Sequence, residues 1–168
     1  MPTTLRSSAQ FEALYRTAWP RVVDYLRFRI GPDDAADVAA EVFVRAWKAR
    51  AQYAPDRGEP EAWLWGIARN AARDHRRAPR PPIDLDAVAD VADASLAEHG
   101  AGVEATARVA VALAMLEPID RDIVALRFGG GLPFREVGAA VGLTEAAAAT
   151  RLHRAIKRLR SLLEETER

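Results

Sequence analysis

The prolines at positions 79, 81 and 82 divide this chain in two. Proline fixes φ, lacks the N–H that a helix uses, and pushes the residue before it toward extended backbone, so no helix runs through Pro79-Arg80-Pro81-Pro82. The stretch that follows, to residue 103, holds five acidic residues (Asp84, Asp86, Asp90, Asp93, Glu98), no Lys or Arg, and little large apolar surface. Residues 1–80 carry 14 basic and 10 acidic side chains, and residues 104–168 carry 10 and 9. The formal net charge of zero therefore conceals two basic ends around an acidic middle. The expected plan is one unit at 1–78, a flexible acidic linker at 79–103 with at most a short helical turn near Leu85–Leu96, and a second unit at 104–168. An ordered third subdomain in the middle is the alternative.

Both flanks read as helix. Phe11, Leu14, Tyr15, Ala18, Val22, Tyr25, Leu26 and Arg29 recur at spacings of three and four, an amphipathic helix with Pro20 inside it. Gly31-Pro32 punctuates it, and Asp33 is placed to cap a second helix to about Ala51. After a loop at Gln52–Pro60, a third helix spans Glu61 to about Arg77. Beyond the linker, helices are expected at Glu104–Leu116, Pro118–Phe128 and Pro133–Val141, and from Thr144 to about Glu165. Alternating strand patterns are absent, so the fold class is all-α, two small bundles.

Half the residues are hydrophobic and 29% are charged, a globular composition. No uncharged apolar run approaches a membrane span, and the polar first ten residues do not resemble a secretory signal. With no cysteine there are no disulfides, thiolate metal sites or cysteine nucleophiles, which fits a reducing compartment. His75, His99 and His153 lack paired metal-ligand spacing, and Gly129-Gly130-Gly131 has no Lys-Ser/Thr after it, so it is no phosphate loop. An enzyme, a metal site and a cofactor are not expected.

The chemistry is carried by basic helices. Pro133–Val141, the turn Gly142-Leu143 and the helix capped by Thr144 form a helix-turn-helix. On its second helix, Leu152, Ile156, Leu159 and Leu163 share one stripe, while Arg151, Arg154 and Arg158 share another. From Arg151 to Arg160 there are five basic residues and no acid, a face suited to phosphates or the major groove. The small side chains of Ala146–Ala149 let the helix start approach DNA closely. On the third helix Arg69, Arg73, Arg76 and Arg77 share one arc, with Asn70 beside them. Trp63 and Trp65 cannot share a face, so one is core and one is surface; arginine beside aromatics suits single-stranded nucleic acid. The second helix mixes Val38, Val42, Phe43, Ala46 and Trp47 with Asp37, Glu41, Arg45 and Lys48, which reads as a half-buried bundle helix or as a docking face. Glu41 and Arg45 are spaced to pair.

These residues resemble a known family. Asp33 through Trp47 resembles the second conserved region of bacterial sigma factors, and Trp63 through Asn70, with Asp74 and Arg76-Arg77, resembles its end. Leu126-Arg127, Pro133 through Gly138, Leu143-Thr144, Arg151-Leu152 and Arg154-Ala155 resemble the fourth region. With both regions present and only a linker between, the plan is similar to the extracytoplasmic-function (ECF) sigma factors. The resemblance implies that Asp37, Glu41, Phe43, Arg45 and Trp47 dock the clamp-helix coiled coil of core RNA polymerase. It implies that Trp63, Arg69, Asn70, Arg73, Asp74, Arg76 and Arg77 meet the −10 element as it melts, and that the Gln52–Pro60 loop receives a flipped base of the non-template strand. It places Thr144, Ala147, Ala148, Arg151, Arg154, Lys157 and Arg158 at the duplex −35 element. The linker then passes toward the polymerase channels, an anti-sigma factor restrains the protein, and the location is cytoplasmic, with no membrane insertion. The chain departs from the family near Ala146 and Ala148, where a small polar residue or glycine and then a larger aliphatic are common. The alternative is a stand-alone helix-turn-helix regulator with an N-terminal helical sensor, which leaves the second basic helix and its tryptophans unexplained; a purely protein-binding helical adaptor is a further one.

Overall fold

A computed structural model describes residues 5–77 and 103–166; the expected acidic linker, with the stretch near 85–96 where a short helical turn is expected at most, lies outside the described residues. The described residues form seven helices and no strand: α1 (Ser8–Ile30), α2 (Pro32–Ala49), α3 (Pro60–Arg77), α4 (Val103–Ala114), α5 (Pro118–Val124), α6 (Phe134–Val141) and α7 (Glu145–Thr166). The all-α reading holds.

Local chemistry sets the boundaries. Ser7 Oγ accepts from the Gln10 N–H at 3.2 Å while Gln10 Oε1 accepts from the Ser7 N–H, a reciprocal cap that starts α1. The helix continues through Pro20 and ends at Gly31. Asp33 is not the cap of α2. Gly31 holds that position at φ 96°, and Pro32 occupies the first helical turn, where its missing N–H costs nothing. Asp33 and Asp34 instead sit in the first turn, where carboxylates oppose the helix dipole favourably. The loop between α2 and α3 tightens into two short 3₁₀ turns, Arg50–Gln52 and Pro55–Arg57.

After α5 the backbone widens into a π-helical turn over Ala125–Gly129. This turn brings Gly129 against α1, where a Cβ would stand 2.8 Å from a Phe28 ring carbon and 2.9 Å from the Asp24 carbonyl oxygen. Thr144 caps α7 as expected, its hydroxyl accepting from the Ala147 N–H at 3.2 Å.

The two halves share one core. Val22, Tyr25 and Leu26 of α1, Val42 of α2 and Leu64 and Trp65 of α3 join Ile123, Leu126, Leu132 and Val137 of the second half, all fully buried or nearly so. The two bundles are thus packed against each other and not held by the linker alone. α1 packs on the π-helical turn and α3 packs on α6.

Candidate functional site

Three surfaces carry the side chains singled out by the sequence. The first lies between α1 and α2. Phe11, Tyr15, Trp19, Ala40, Phe43, Val44 and Trp47 line an apolar groove of about 340 Å³. Its walls are held by ring contacts: Phe11 meets Trp47 at 5.1 Å and Tyr15 meets Phe43 at 4.9 Å, both edge-to-face. Phe43 is buried, so its part is to support the groove from below; the apolar surface offered outward is Tyr15, Val44 and Trp47. The Arg50 guanidinium stacks 3.6 Å from the centre of Trp47 and fixes its orientation. On the charged rim, Asp37 is exposed, while Glu41 and Arg45 pair across one helical turn. Arg45 also binds Asp74 of α3 at 2.8 Å, and these hydrogen bonds raise its pKa. Asp74 therefore ties α3 to α2. Tyr15 was read only as part of the apolar stripe of α1, and Trp19 and Val44 were not singled out, because which apolar residues of α1 and α2 stay uncovered depends on how the two helices pack.

The second surface is the start of α3 and the loop before it. The two tryptophans divide as expected. Trp65 is 1% exposed, while Trp63 is half-buried and lies against Tyr53, ring centres 5.6 Å apart. The Tyr53 hydroxyl donates to the Gly58 carbonyl at 2.7 Å, which braces the loop. Burial, with the charge of Glu59 nearby, raises the Tyr53 pKa, so the phenol stays a donor. Farther along α3, Asn70, Arg73 and Arg76 are exposed, and the Arg77 side chain lies outside the described residues.

Arg69 is a correction. The arc of four arginines placed it on an open face, but it is drawn under the second half. Its guanidinium binds Asp122 Oδ2 at 3.1–3.2 Å and donates to the Ala140 carbonyl. Asp122, 2% exposed at its side chain, also pairs with Arg29 at 2.8 Å, accepts from the Tyr25 hydroxyl at 3.1 Å, and lies 3.9 Å from Arg73. Burial and then the Asp122 charge push the Tyr25 pKa far up, so it remains a neutral donor. The sequence held one signal of this cluster, Arg29 in register on the apolar stripe of α1.

The third surface is the helix-turn-helix. Gly142 takes a left-handed conformation, φ 74°, that lets α6 turn into α7, and the Leu143 N–H donates to the Gly138 carbonyl at 2.9 Å. Ala148, Leu152, Ala155 and Leu162 form the buried seam of α7. Ala148 is thus another correction: it packs inward and presents no surface, whereas Thr144 is exposed and Ala147 half-exposed. Arg154, Lys157 and Arg158 face out. Arg151 is held back, bonded to Asp120 at 2.7 Å and Glu117 at 3.1 Å; the hydrogen bond to Asp120 is the main reason its pKa rises. Among the described residues, no three His, Cys, Asp or Glu gather as a metal site.

Residues 14–80 match the Sigma-70 region 2 family, and residues 112–161 match Sigma-70 region 4. The chain is 35% identical to RNA polymerase sigma factor CarQ of Myxococcus xanthus, over 96% of this chain and 95% of CarQ. It is 36% identical to ECF RNA polymerase sigma factor SigD of Mycobacterium tuberculosis, over 86% of this chain and 72% of SigD. The chain belongs to the ECF sigma factors. A solved structure of CnrH in complex with the cytosolic domain of CnrY is 29% identical, covers 95% of this chain and 91% of CnrH, and superposes with a TM-score of 0.69. The sigma factor RpoE of Bartonella quintana, solved in complex with the anti-sigma factor NepR, shares the fold at 18% identity and a TM-score of 0.63. The groove and α3 of this sigma factor fall mainly within its region 2 match, and the exposed face of α7 falls within region 4. No helix among its described residues is long and apolar enough to cross a membrane.

Proposed function

We propose that this sigma factor binds core RNA polymerase and directs initiation at promoters carrying two elements, read by separate parts of the chain. The observation that carries this is the pairing, in one protein, of an outward basic face on a helix-turn-helix with a second basic helix entered through an aromatic-braced loop. A duplex-binding regulator has use for the first alone.

The roles follow from chemistry. Arg154, Lys157 and Arg158 bind phosphates of the −35 duplex and set the register of α7 in the major groove, with Thr144 and Ala147 at its leading end. Arg151 reaches the same element by exchanging its carboxylates for phosphate. Trp63, Asn70, Arg73, Arg76 and Arg77 meet the −10 element, where a base stacked on an aromatic gains roughly 1–3 kcal/mol, enough to help offset opening of a few base pairs. Asp37, Glu41, Arg45 and the groove of Tyr15, Val44 and Trp47 receive the polymerase clamp helices, with Phe43 as the floor. Neither contact alone is strong; joining them in one chain raises the effective concentration of the second. The protein performs no covalent chemistry, works in the cytoplasm, and is held in check by an anti-sigma factor, a reading supported by the CnrH and CnrY pair.

Footprinting the reconstituted holoenzyme on bound genomic fragments tests the proposal. Two protected patches are expected, with permanganate-reactive thymines at the downstream one only when core polymerase and this protein are both present. One protected patch made by the protein alone, with no opening, supports the stand-alone regulator instead.

A further inference from the structure

The geometry points to a binding site for a small anion carrying two linked phosphates, where Arg121 of α5 meets Arg73 and Arg76 of α3. Promoter recognition makes no use of Arg121, and the site stands or falls independently of how α3 meets DNA.

Guanidiniums outnumber carboxylates at this place. Asp122 serves Arg29 at 2.8 Å and Arg69 at 3.1 Å, which leaves Arg73 only a loose contact with it at 3.9 Å. Arg76 follows Arg73 by one turn on α3 and is exposed. Arg121 precedes Asp122 on α5 and is half-buried, and its Nε is buried without a hydrogen-bond partner among the described residues. The acids beside these arginines in the chain are committed elsewhere, Asp74 to Arg45 and Asp120 to Arg151.

A guanidinium so placed is under electrostatic load. Burial, then the charges of Arg76 and Arg29, lower the Arg121 pKa, and Asp122 opposes them. Arginine cannot relieve the load by losing its proton in the neutral range. A buried donor without a partner in a native protein calls for an explanation, and a bound ion is one. An anion at Arg121 would give Nε its acceptor and separate like charges at the same time.

The donors decide the class of anion. Planar guanidinium forks match phosphate oxygens in pairs of parallel hydrogen bonds. Here the forks come from two helices, and their joint charge exceeds what one phosphate offsets; two linked phosphates match it more closely. Arg73 keeps 49% of its side chain exposed and Arg76 is exposed, so the approach is open to a small ligand. Inorganic pyrophosphate and the phosphate chain of a nucleotide share this chemistry. Because the donors come from both halves of the protein, the bound anion ties the halves together.

Calorimetric titration of the full-length protein with inorganic pyrophosphate, GDP and orthophosphate, at constant ionic strength, tests the site. We expect one pyrophosphate or GDP per chain and orthophosphate at least tenfold weaker. The melting temperature should rise by roughly 5–10 °C at a hundredfold excess of pyrophosphate over its Kd. Arg121→Gln and Arg73→Gln should each lose at least tenfold in affinity. Arg135→Gln, which removes an exposed cation of α6, should keep the native affinity. If Arg121→Gln fails to fold, Arg73→Gln decides, since its position is exposed. Pyrophosphate binding at least as tightly as GDP marks the free anion as the ligand, GDP binding more tightly marks a nucleotide, and either supports the site. No binding of either, or equal binding by the native chain and the cluster variants, overturns it. Orthophosphate binding as tightly as pyrophosphate overturns the assignment to two linked phosphates.

Discussion

Val44→Asp should abolish tight binding to core RNA polymerase while leaving the fold intact. Val44 is 51% exposed on the rim of the aromatic groove, between the buried Phe43 and the charged Arg45. Burying a whole valine side chain against a partner is worth about 1.5–3 kcal/mol, so the half still facing solvent offers roughly 1 kcal/mol to a docked helix. A carboxylate there forfeits that gain and adds the desolvation of a charge in an apolar contact, about 2 kcal/mol more when some water is retained. The sum, about 3 kcal/mol, corresponds to a loss of roughly two orders of magnitude in affinity. In the free protein the position is wet and helical, so the melting temperature should move by no more than a few degrees. Titrating labelled protein with core polymerase and following anisotropy measures the first effect; thermal circular dichroism measures the second. Binding within twofold of the native protein would refute the docking role of the groove, and a collapsed melting temperature would refute the placement of Val44 on its rim.

Other predictions follow from the same contacts. Trp65→Ala empties the fully buried site between α1 and α3 and should cost about 3–5 kcal/mol in chemical denaturation, a large part of the stability of a domain this size. Tyr25 has a folded pKa above its ordinary value of 10.0, so the native state keeps a proton that the unfolded chain releases. Stability from this group is therefore fully present below pH 10 and declines as pH rises beyond it, and Tyr25→Phe should flatten that alkaline decline in a series of urea melts. Replacing Arg154 and Arg158 together with Ala should reduce duplex binding by the holoenzyme and lower the slope of log affinity against log salt by about 2, without weakening its association with core polymerase.

What the sequence disclosed, and what it did not, divides by range. Helices with a long apolar period, α1, α3 and α7, were legible because burial of one face dictates that period. Thr144 was legible as a cap because its role is settled within one turn. Asp33 misled because the residue before it, Pro32, fits the first turn so well that the cap is Gly31 and the helix starts two positions earlier than a cap at Asp33 would set. The π-helical turn at Ala125–Gly129 left no mark in the pattern, since it depends on how that segment meets α1. Arg69 was misplaced, and Asp122 passed over, for the same reason. A charged residue on a short helix looks like solvent-facing surface until its partners, 53 positions away for Arg69 and farther for Arg29 and Tyr25, arrive from the other half. Tyr53 was within reach of sequence reasoning as an aromatic in the loop preceding Trp63, but its contact required the loop's turns to be known. The positions of the α7 basic residues followed from helical angle alone, and only Arg151 departed, drawn back by Asp120 and Glu117.

The central claim is that this protein gives core RNA polymerase a choice of start site. Run-off transcription on a pool of genomic promoter fragments, with core polymerase and with or without the protein, tests it most directly. Discrete transcripts that appear only when the protein is added, and that share two upstream sequence elements, are the predicted result. Identical transcription in both reactions, with a protein that folds and binds core polymerase, would contradict the account.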